Sequence, residues 1–324
     1  MECHQDGNGI VKHIKAPQLE QPLIGICFKL ASVLFFVGMA SLIKAAGDIP
    51  VGQVVFFRSF FATLPVLVFL WWAGELRYAF KTERPLSHVI RGVVGVSSMM
   101  LSFFALLRLP LPEAITLSYA QPLLIVVFSA VFMGEVVRIY RWSAVGIGLF
   151  GVLIISWPNL TLFTSGTMES GEALGTVAAL SATALTAWAV LLVRSLVHSE
   201  RSSTIVFYFS ITSSVAGLLT IPFGWAPMSF EQVACLVSAG ILGGIAQILM
   251  TETYRYAEAS TVAPFEYSSM IVGIVAGYFL FGDVPTLNML VGGVIVIGAG
   301  IFIVWREQQL GLKNRTAAKR ASTP

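Results

Sequence analysis

Ten apolar segments follow one another between Pro22 and Trp305, each close to the length needed to cross a lipid bilayer. A bilayer core of roughly 30 Å requires about 20 apolar residues in a helix. These runs are apolar on every face, whereas a membrane-spanning β-strand is about ten residues long and alternates polar with apolar positions. The pattern therefore predicts an all-α polytopic membrane protein with ten transmembrane helices.

Composition supports this class, because the chain is 56% hydrophobic and 11% charged, with a mean hydropathy of +0.82. A soluble globular chain typically has about 25% charged residues. The predicted spans cover residues 22–44, 49–72, 88–108, 112–133, 141–157, 172–197, 202–224, 231–254, 260–281 and 286–305.

Lysine and arginine are distributed unevenly between the predicted loops. Fifteen of the 20 lie in alternate loops and in the two tails, two (Lys44 and Arg108) lie on the opposite side, and three (Lys29, Arg58 and Arg91) fall within spans. Positively charged loops stay on the cytoplasmic side of a membrane. Both termini are therefore predicted to be cytoplasmic.

The second half of the chain repeats features of the first at an offset of 148 residues. Val-Phe-Met-Gly-Glu at 131–135 corresponds to Phe-Leu-Phe-Gly-Asp at 279–283, and Tyr119 corresponds to Tyr267. Because each half holds five spans, an odd number, the second half must enter the membrane from the opposite side. This is the inverted-topology repeat common among secondary transporters. The spans that follow these motifs each carry two glycines five residues apart, Gly146 with Gly151 and Gly293 with Gly298.

The repeat and the polar segments divide the chain into five parts. These are a cytoplasmic N-terminal tail (1–21), a first five-helix repeat (22–160), an external linker (161–171), a second five-helix repeat (172–305) and a basic cytoplasmic C-terminal tail (306–324).

Several local motifs resemble those of a known family. They are Phe57-Arg58, Leu111-Pro112-Glu113-Ala114, Tyr119-Ala120-Gln121-Pro122, Ala263-Pro264-Phe265-Glu266-Tyr267 and Gly282-Asp283-Val284-Pro285. Together with the two five-helix halves, they resemble the EamA branch of the drug/metabolite transporter superfamily over about residues 22–305. The subgroup is similar to proteobacterial carriers of riboflavin and S-adenosylmethionine. Lys44 lies near the position where such relatives often carry an Asp-x-x-x-Lys pair, but Ala40 occupies the acid's position.

The resemblance implies a multi-pass transporter in the bacterial inner membrane that moves a small organic metabolite by alternating access, without ATP. Riboflavin uptake is the leading substrate hypothesis, and export of S-adenosylmethionine, an amino acid or another metabolite is the alternative. The lipid bilayer and a small-molecule substrate are the expected partners, and nucleic acid, a metal and a cofactor are not expected. Proton coupling and a homodimer remain open.

Ionisable groups inside spans are the first candidates for transport, because each costs at least about 3 kcal/mol to insert. Glu266 and Lys29 lie six and seven residues into spans nine and one from the cytoplasmic side, so they can pair at one depth. Arg58 lies about 14 Å into span two, near the midplane. Alternatively, Lys29 extends to the headgroups and Arg58 is a structural lock. Arg91, near a cytoplasmic end, is expected to be an interface anchor, and Glu113 to be structural.

Aromatic and polar residues inside the spans are candidates for a substrate cavity. Tyr119, Trp188 and Tyr267 could present ring faces to a flat solute such as riboflavin, and Gln121 and Ser268 could supply hydrogen bonds. An amino acid or S-adenosylmethionine would instead use charged groups, for which Arg58 and Glu266 are available. Pro122 and Pro264 are predicted to kink spans four and nine, since proline removes a backbone hydrogen bond.

Other functional classes have less support. The chain has no glycine-rich phosphate-binding loop for ATP. None of its four histidines lies deep in a span, which argues against an intramembrane metalloprotease or Ser–His protease. A lipid-modifying membrane enzyme and a receptor or scaffold that binds a solute without moving it remain as alternatives.

Overall fold

The computed structural model of the chain describes residues 22–72, 74, 76, 82, 84–133, 139–164, 171–196, 202–256 and 263–321. We number its α-helices α1 (Pro22–Ala45), α2 (Val51–Trp72), α3 (Pro85–Leu106), α4 (Leu111–Ser118), α5 (Gln121–Met133), α6 (Ile139–Thr164), α7 (Gly171–Leu196), α8 (Ser202–Leu218), α9 (Phe230–Tyr256), α10 (Ser268–Ala276) and α11 (Leu287–Ala321). A 3₁₀ turn follows α8 (Ile221–Phe223), a 3₁₀ segment precedes α10 (Ala263–Tyr267), and a π turn follows α10 (Gly277–Phe281).

Across these described ranges, nine helical segments are long and apolar enough to cross a membrane. A tenth apolar segment, Phe265–Phe281, is shorter. The protein is therefore a multi-pass membrane protein, and its described residues are helical with no strand. The last helix continues beyond the predicted span as far as Ala321.

The fourth predicted span is interrupted between α4 and α5. Tyr119 and Ala120 form a turn there, with N–H groups that donate to the carbonyl oxygens of Thr116 and Leu117 at 3.1 and 3.3 Å. Pro122 follows directly and has no N–H to continue the helical pattern across the turn. The regular α-helical hydrogen-bond pattern is therefore interrupted beside Tyr119, within a segment that is otherwise apolar.

The described part of the ninth predicted span, 260–281, consists of the 3₁₀ segment, α10 and the π turn, so its regular α-helix is interrupted near Pro264. Residues 260–262 of that span lie outside the described residues. Pro264 is the second residue of the 3₁₀ segment. It has no backbone N–H, so it cannot donate the hydrogen bond that a residue in the interior of an α-helix donates. The transition to α-helix follows Tyr267, the counterpart of Tyr119. At the other end, Gly282 adopts a φ of 70°, and its N–H donates to the Tyr278 carbonyl at 3.1 Å.

Helices of the two halves are interleaved. α1 packs along α9, α3 along α7 and α6 along α11, while α2 contacts both α8 and α9. The contact of α1 with α9 matches that of α7 with α3 when the two repeats are exchanged, as an inverted repeat requires. Each half therefore buries its apolar surface largely against the other half.

The crossing of α6 and α11 depends on two glycines. A Cβ atom added to Gly292 would lie 2.5 Å from the carbonyl oxygen of Gly151, and one added to Gly151 would lie 2.9 Å from that of Gly292. Small residues allow membrane helices to approach closely. By contrast, a Cβ on Gly146 or Gly298 would meet nothing within 4 Å.

Candidate functional site

Lys29 and Glu266 form an ion pair between the two repeats. The Lys29 side chain, on α1, is 2% exposed, and its Nζ donates a hydrogen bond to Oε2 of Glu266 on the 3₁₀ segment. The Glu266 side chain is 48% exposed. The ammonium group is thus enclosed by protein, whereas the carboxylate keeps an open face.

A polar cluster connects Glu266 to the break between α4 and α5. Ser269 Oγ donates to the Glu266 carbonyl oxygen at 2.7 Å and lies 2.5 Å from the Tyr119 hydroxyl. Because the Ser269 hydroxyl donates its proton to the Glu266 carbonyl oxygen, the Tyr119 hydroxyl donates to Ser269 Oγ. The ring centroids of Tyr119 and Tyr267 lie 5.2 Å apart at an interplanar angle of 76°. The two repeat-related tyrosines therefore contact each other at the interface between the halves.

Ser269 is absent from the residues singled out in the sequence. A serine next to Ser268 in an apolar helix carries no distinguishing signal, and its role depends on the 3₁₀ turn, which directs its hydroxyl to Glu266. Ser268 itself donates to the Phe265 carbonyl at 2.7 Å. Its hydroxyl therefore stabilises the local turn.

The other aromatic candidate lies elsewhere. Trp188, on α7, is 44% exposed and stacks on Phe132 with ring centroids 6.3 Å apart and an interplanar angle of 10°. Gln121 begins α5 beside the turn and is half-buried. In the described ring contacts, the tyrosines pair with each other and Trp188 pairs with Phe132. The predicted aromatic set is therefore divided between two places.

Arg58, on α2, has a guanidinium Nε that is buried and has no hydrogen-bond partner among the described residues. The side chain lies against α9, where a Cβ added to Gly243 would be 3.4 Å from this Nε and 2.7 Å from Sδ of Met39. The absence of a side chain at Gly243 therefore leaves the space that the guanidinium group needs.

Arg91 differs from the expected interface anchor. Its guanidinium carbon lies 3.8 Å from the ring centroid of Phe209 on α8, and its Nε and Nη1 are buried without a hydrogen-bond partner in the described part of the chain. A Cβ added to Gly95 would lie 3.0 Å from this Nη1. The side chain therefore extends one helical turn further into α3, away from the nearby start of that helix, which an anchoring arginine would approach.

A second network lies at the predicted external end. Lys44 Nζ is 3.3 Å from Oδ2 of Asp283 and donates to the Leu109 carbonyl at 2.7 Å, and the same Asp283 oxygen accepts the N–H of Leu111 at 2.9 Å. The acid that pairs with Lys44 thus comes from the second repeat, although the preceding turn of α1 has Ala40 at the position of the relatives' acid. The sequence singled out Gly282-Asp283 as a repeat and family motif but did not indicate its contact with Lys44.

The chain is similar to several curated transporters. It is 26% identical over 257 residues to an S-adenosylmethionine uptake transporter of Rickettsia felis, covering 79% of this chain and 84% of that protein. It is 28% identical over 277 residues to the pseudopaline exporter CntI of Pseudomonas aeruginosa, with 84% and 92% covered. It is also 28% identical over 290 residues to a riboflavin transporter of Rhizobium johnstonii, with 89% and 90% covered.

A solved crystal structure shares the fold, with a TM-score of 0.61 at 17% identity over 88% of this chain and 98% of that chain. The family model of EamA-like transporters matches residues 23–157 and again residues 173–306. These two matches cover most of the chain and confirm the resemblance carried by its sequence motifs. The chain therefore belongs to the EamA-like transporter family.

Proposed function

We propose that this protein is a secondary transporter that moves a small organic metabolite across a bacterial inner membrane by alternating access, with both termini in the cytoplasm. The ion pair between Lys29 and Glu266 carries this proposal. It joins the two repeats inside the membrane-spanning region, and any movement of one repeat against the other must change it. Sites at the interface between inverted repeats are typical of secondary transporters.

Glu266 is the proposed coupling residue. Its carboxylate is bound on one side by Lys29 and remains about half exposed on the other, so a cationic group or a proton can reach it. Competition between Lys29 and such a group for the carboxylate would link solute binding to movement of the repeats. Tyr119, through Ser269, holds the turn that positions Glu266.

The network of Lys44 and Asp283 is proposed to close the external end. It connects α1, the segment between α3 and α4, and the segment before α11, so that elements of both repeats are held together. Opening toward the outside would require this ion pair to separate. A partly exposed pair of this kind contributes only about 0–1 kcal/mol, which suits a contact that must form and break in each cycle.

For the solute, we propose a charged, amino-acid-type metabolite such as S-adenosylmethionine ahead of riboflavin. Riboflavin transport is the named activity of relatives from Rhizobium johnstonii and Vibrio cholerae. However, the aromatic faces expected for riboflavin are divided, because Trp188 stacks on Phe132 and Tyr119 is 4% exposed. Charged groups in the described spans include Glu266, which keeps an open face, and the arginines of α2 and α3, which have buried nitrogens without a hydrogen bond. The relatives include both uptake and export proteins, so a flux experiment must measure both directions.

Purified protein in liposomes provides the test. Radiolabelled S-adenosylmethionine, riboflavin and amino acids are offered in turn, and the recovered solute is analysed chemically. We expect saturable movement of one unchanged solute, well above empty liposomes and above liposomes with the Glu266→Gln variant.

Two other results would contradict the proposal. Chemical conversion of the solute would favour a lipid-modifying or other membrane enzyme, and binding without flux in either direction would favour a receptor or scaffold.

A further inference from the structure

We propose that Arg58 and Arg91 together form a subsite for one carboxylate group of the transported solute. This inference rests on the proposed function, since it names the anionic part of the solute that the same protein would carry.

The two guanidinium groups reach a similar depth although their backbones lie at different depths. α2 and α3 are consecutive spans, so the end of α2 and the start of α3 lie on the same side of the membrane. Counted from these ends at 1.5 Å per residue, Arg58 lies about 21 Å deep and Arg91 about 9 Å deep.

Neighbouring glycines show which way each side chain extends. A Cβ on Gly240 would be 3.2 Å from the Arg58 carbonyl oxygen, whereas the Arg58 Nε lies near Gly243, about 4.5 Å further along α9. The Arg91 Nη1 lies near Gly95, about 6 Å further along α3. Because α2 and α9 run in the same direction and α3 runs oppositely, both charged groups reach a depth of about 15–17 Å.

Neither arginine has a carboxylate partner within the described ranges. The carboxylates of Glu266 and Asp283 are already paired, with Lys29 and Lys44 respectively. The Nε atoms of Arg58 and Arg91 are both buried without a hydrogen bond, and the charge of Arg58 also acts on Arg91. A buried donor without an acceptor carries its full desolvation penalty, and two like charges add repulsion.

A solute carboxylate would satisfy these donors. Guanidinium groups bind carboxylates through pairs of nearly parallel N–H···O bonds, which provide both affinity and orientation. The Phe209 ring under Arg91 offsets part of the cost of its charge and fixes its plane. Gly95 and Gly243 lack the side chains that would displace the two guanidinium groups, so both groups can pack directly against α3 and α9. The arrangement is thus complete except for an anion.

The first test measures thermal stability without solute in detergent. A buried binding group without its ligand lowers the stability of the ligand-free protein. We therefore expect Arg58→Met and Arg91→Met to unfold at the same temperature as the unmodified protein or at a higher one. Arg108→Met is the matched control, because Arg108 also lies over a ring, 3.5 Å from the Phe104 centroid, but is exposed. Lower stability of both interior variants than of the control would overturn the proposal in favour of structural partners.

The second test compares solutes that differ in one carboxylate. Uptake of S-adenosylmethionine into liposomes is competed with decarboxylated S-adenosylmethionine. If this solute is carried, we expect the unmodified protein to prefer the acid by about tenfold or more, and each arginine variant to lose that preference. Equal competition in the unmodified protein, or a preference that survives in both variants, would overturn the subsite while leaving transport itself established.

Two further arms keep the subsite testable on its own. Where no flux of S-adenosylmethionine is found, methionine and methioninamide are compared for stabilisation of detergent-purified protein, and stabilisation by the acid alone, lost in both arginine variants, supports the subsite. Stabilisation by neither compound, or by both, overturns it. Transport of riboflavin at an unchanged rate in both variants also overturns it.

Native mass spectrometry tests whether the arginines bind a lipid instead. A phospholipid retained by the unmodified protein and absent from both variants would assign the arginines to a lipid phosphate and overturn the solute subsite.

Discussion

Two pairs of charged residues within the spans, Lys29 with Glu266 and Arg58 with Arg91, differ in how their charges are compensated. Lys29 and Glu266 have opposite charges and lie on different repeats, and each is the partner of the other. Arg58 and Arg91 have the same charge and lie on neighbouring helices of one repeat, with guanidinium nitrogens that have no partner in the described residues. Because an unpaired charge is expensive inside a membrane, the first pair is complete in the empty protein and the second requires a ligand.

The largest effect is expected from Glu266→Gln, because it leaves the 2% exposed Lys29 without a counter-charge. We expect transport to fall by more than about tenfold, since one charge-assisted hydrogen bond is worth about 1.5–3 kcal/mol. The unfolding free energy should fall by about 1–3 kcal/mol, less than for a fully buried pair because Glu266 is half exposed. Flux and thermal unfolding measure the two effects separately.

The double variant Lys29→Met, Glu266→Gln serves as the control. It removes both charges, so stability should recover while transport stays low. Flux of Glu266→Gln equal to that of the unmodified protein at every pH would rule out a coupling role. Loss of folded protein in that single variant, without rescue in the double variant, would indicate a structural lock.

A smaller effect is expected from Gly95→Ala, which tests the unsatisfied pair without removing a charge. The new Cβ would lie 2.8 Å from the Phe209 ring and 3.0 Å from Arg91 Nη1, so the guanidinium must shift. We expect solute affinity to weaken by about tenfold, equivalent to about 1.4 kcal/mol. Gly146→Ala is the control, because the added Cβ would meet nothing within 4 Å. The affinity of this variant for the solute should not change. Equal affinities for the two variants would count against the arginine subsite.

The external network contains the second ion pair, in which both side chains are partly exposed, 17% for Lys44 and 16% for Asp283. Asp283→Asn keeps an oxygen for the Leu111 N–H but removes the charge that attracts Lys44. We expect maleimide to label a single cysteine at Leu109, 1% exposed, a fewfold faster from outside, because the lost pair is worth about 1 kcal/mol or less. Glu231→Gln, an exposed acid at the start of α9, should label at the original rate. An unchanged rate in Asp283→Asn would argue against external closure.

The smallest effect is expected from Phe209→Leu, which removes the ring beneath Arg91 but leaves both arginine charges. A cation–π contact contributes about 0.5–1 kcal/mol at exposed sites and more when desolvated, so affinity should weaken by about threefold. Phe104→Leu, beneath the exposed Arg108, should leave affinity unchanged. A greater loss in Phe104→Leu than in Phe209→Leu would contradict the placement of the solute near Arg91.

Features set by hydrophobic length and depth could be predicted from the sequence. The spans, the repeat and the family follow from apolar runs and short motifs. The level positions of Lys29 and Glu266 follow from counting residues along two helices, and the structure joins these residues. Such quantities depend on distance along a helix axis, which the number of residues determines.

Features set by rotation about a helix axis could not be predicted. The spans are apolar on all faces, so no hydrophobic stripe indicates which side meets another helix. The sequence therefore grouped Trp188 with Tyr119, whereas Trp188 faces Phe132, and it treated Arg91 as an anchor. Ser269 depended on a local 3₁₀ turn, and the pairing of Lys44 with Asp283 depended on which segments meet at the external end.

The interleaving of the repeats determines when the protein can assemble during its synthesis. Lys29 is separated from Glu266 by 237 residues, and ribosomes add about 5–20 residues per second. Lys29 therefore enters the membrane roughly 10–50 s before the ribosome supplies the carboxylate that will neutralise it. The helix that packs along α1 is likewise made in the second half of translation. The first repeat must therefore remain in the bilayer as a group of incompletely packed helices until its counterpart arrives, and it is in this interval that we expect the chain to be most accessible to membrane proteases.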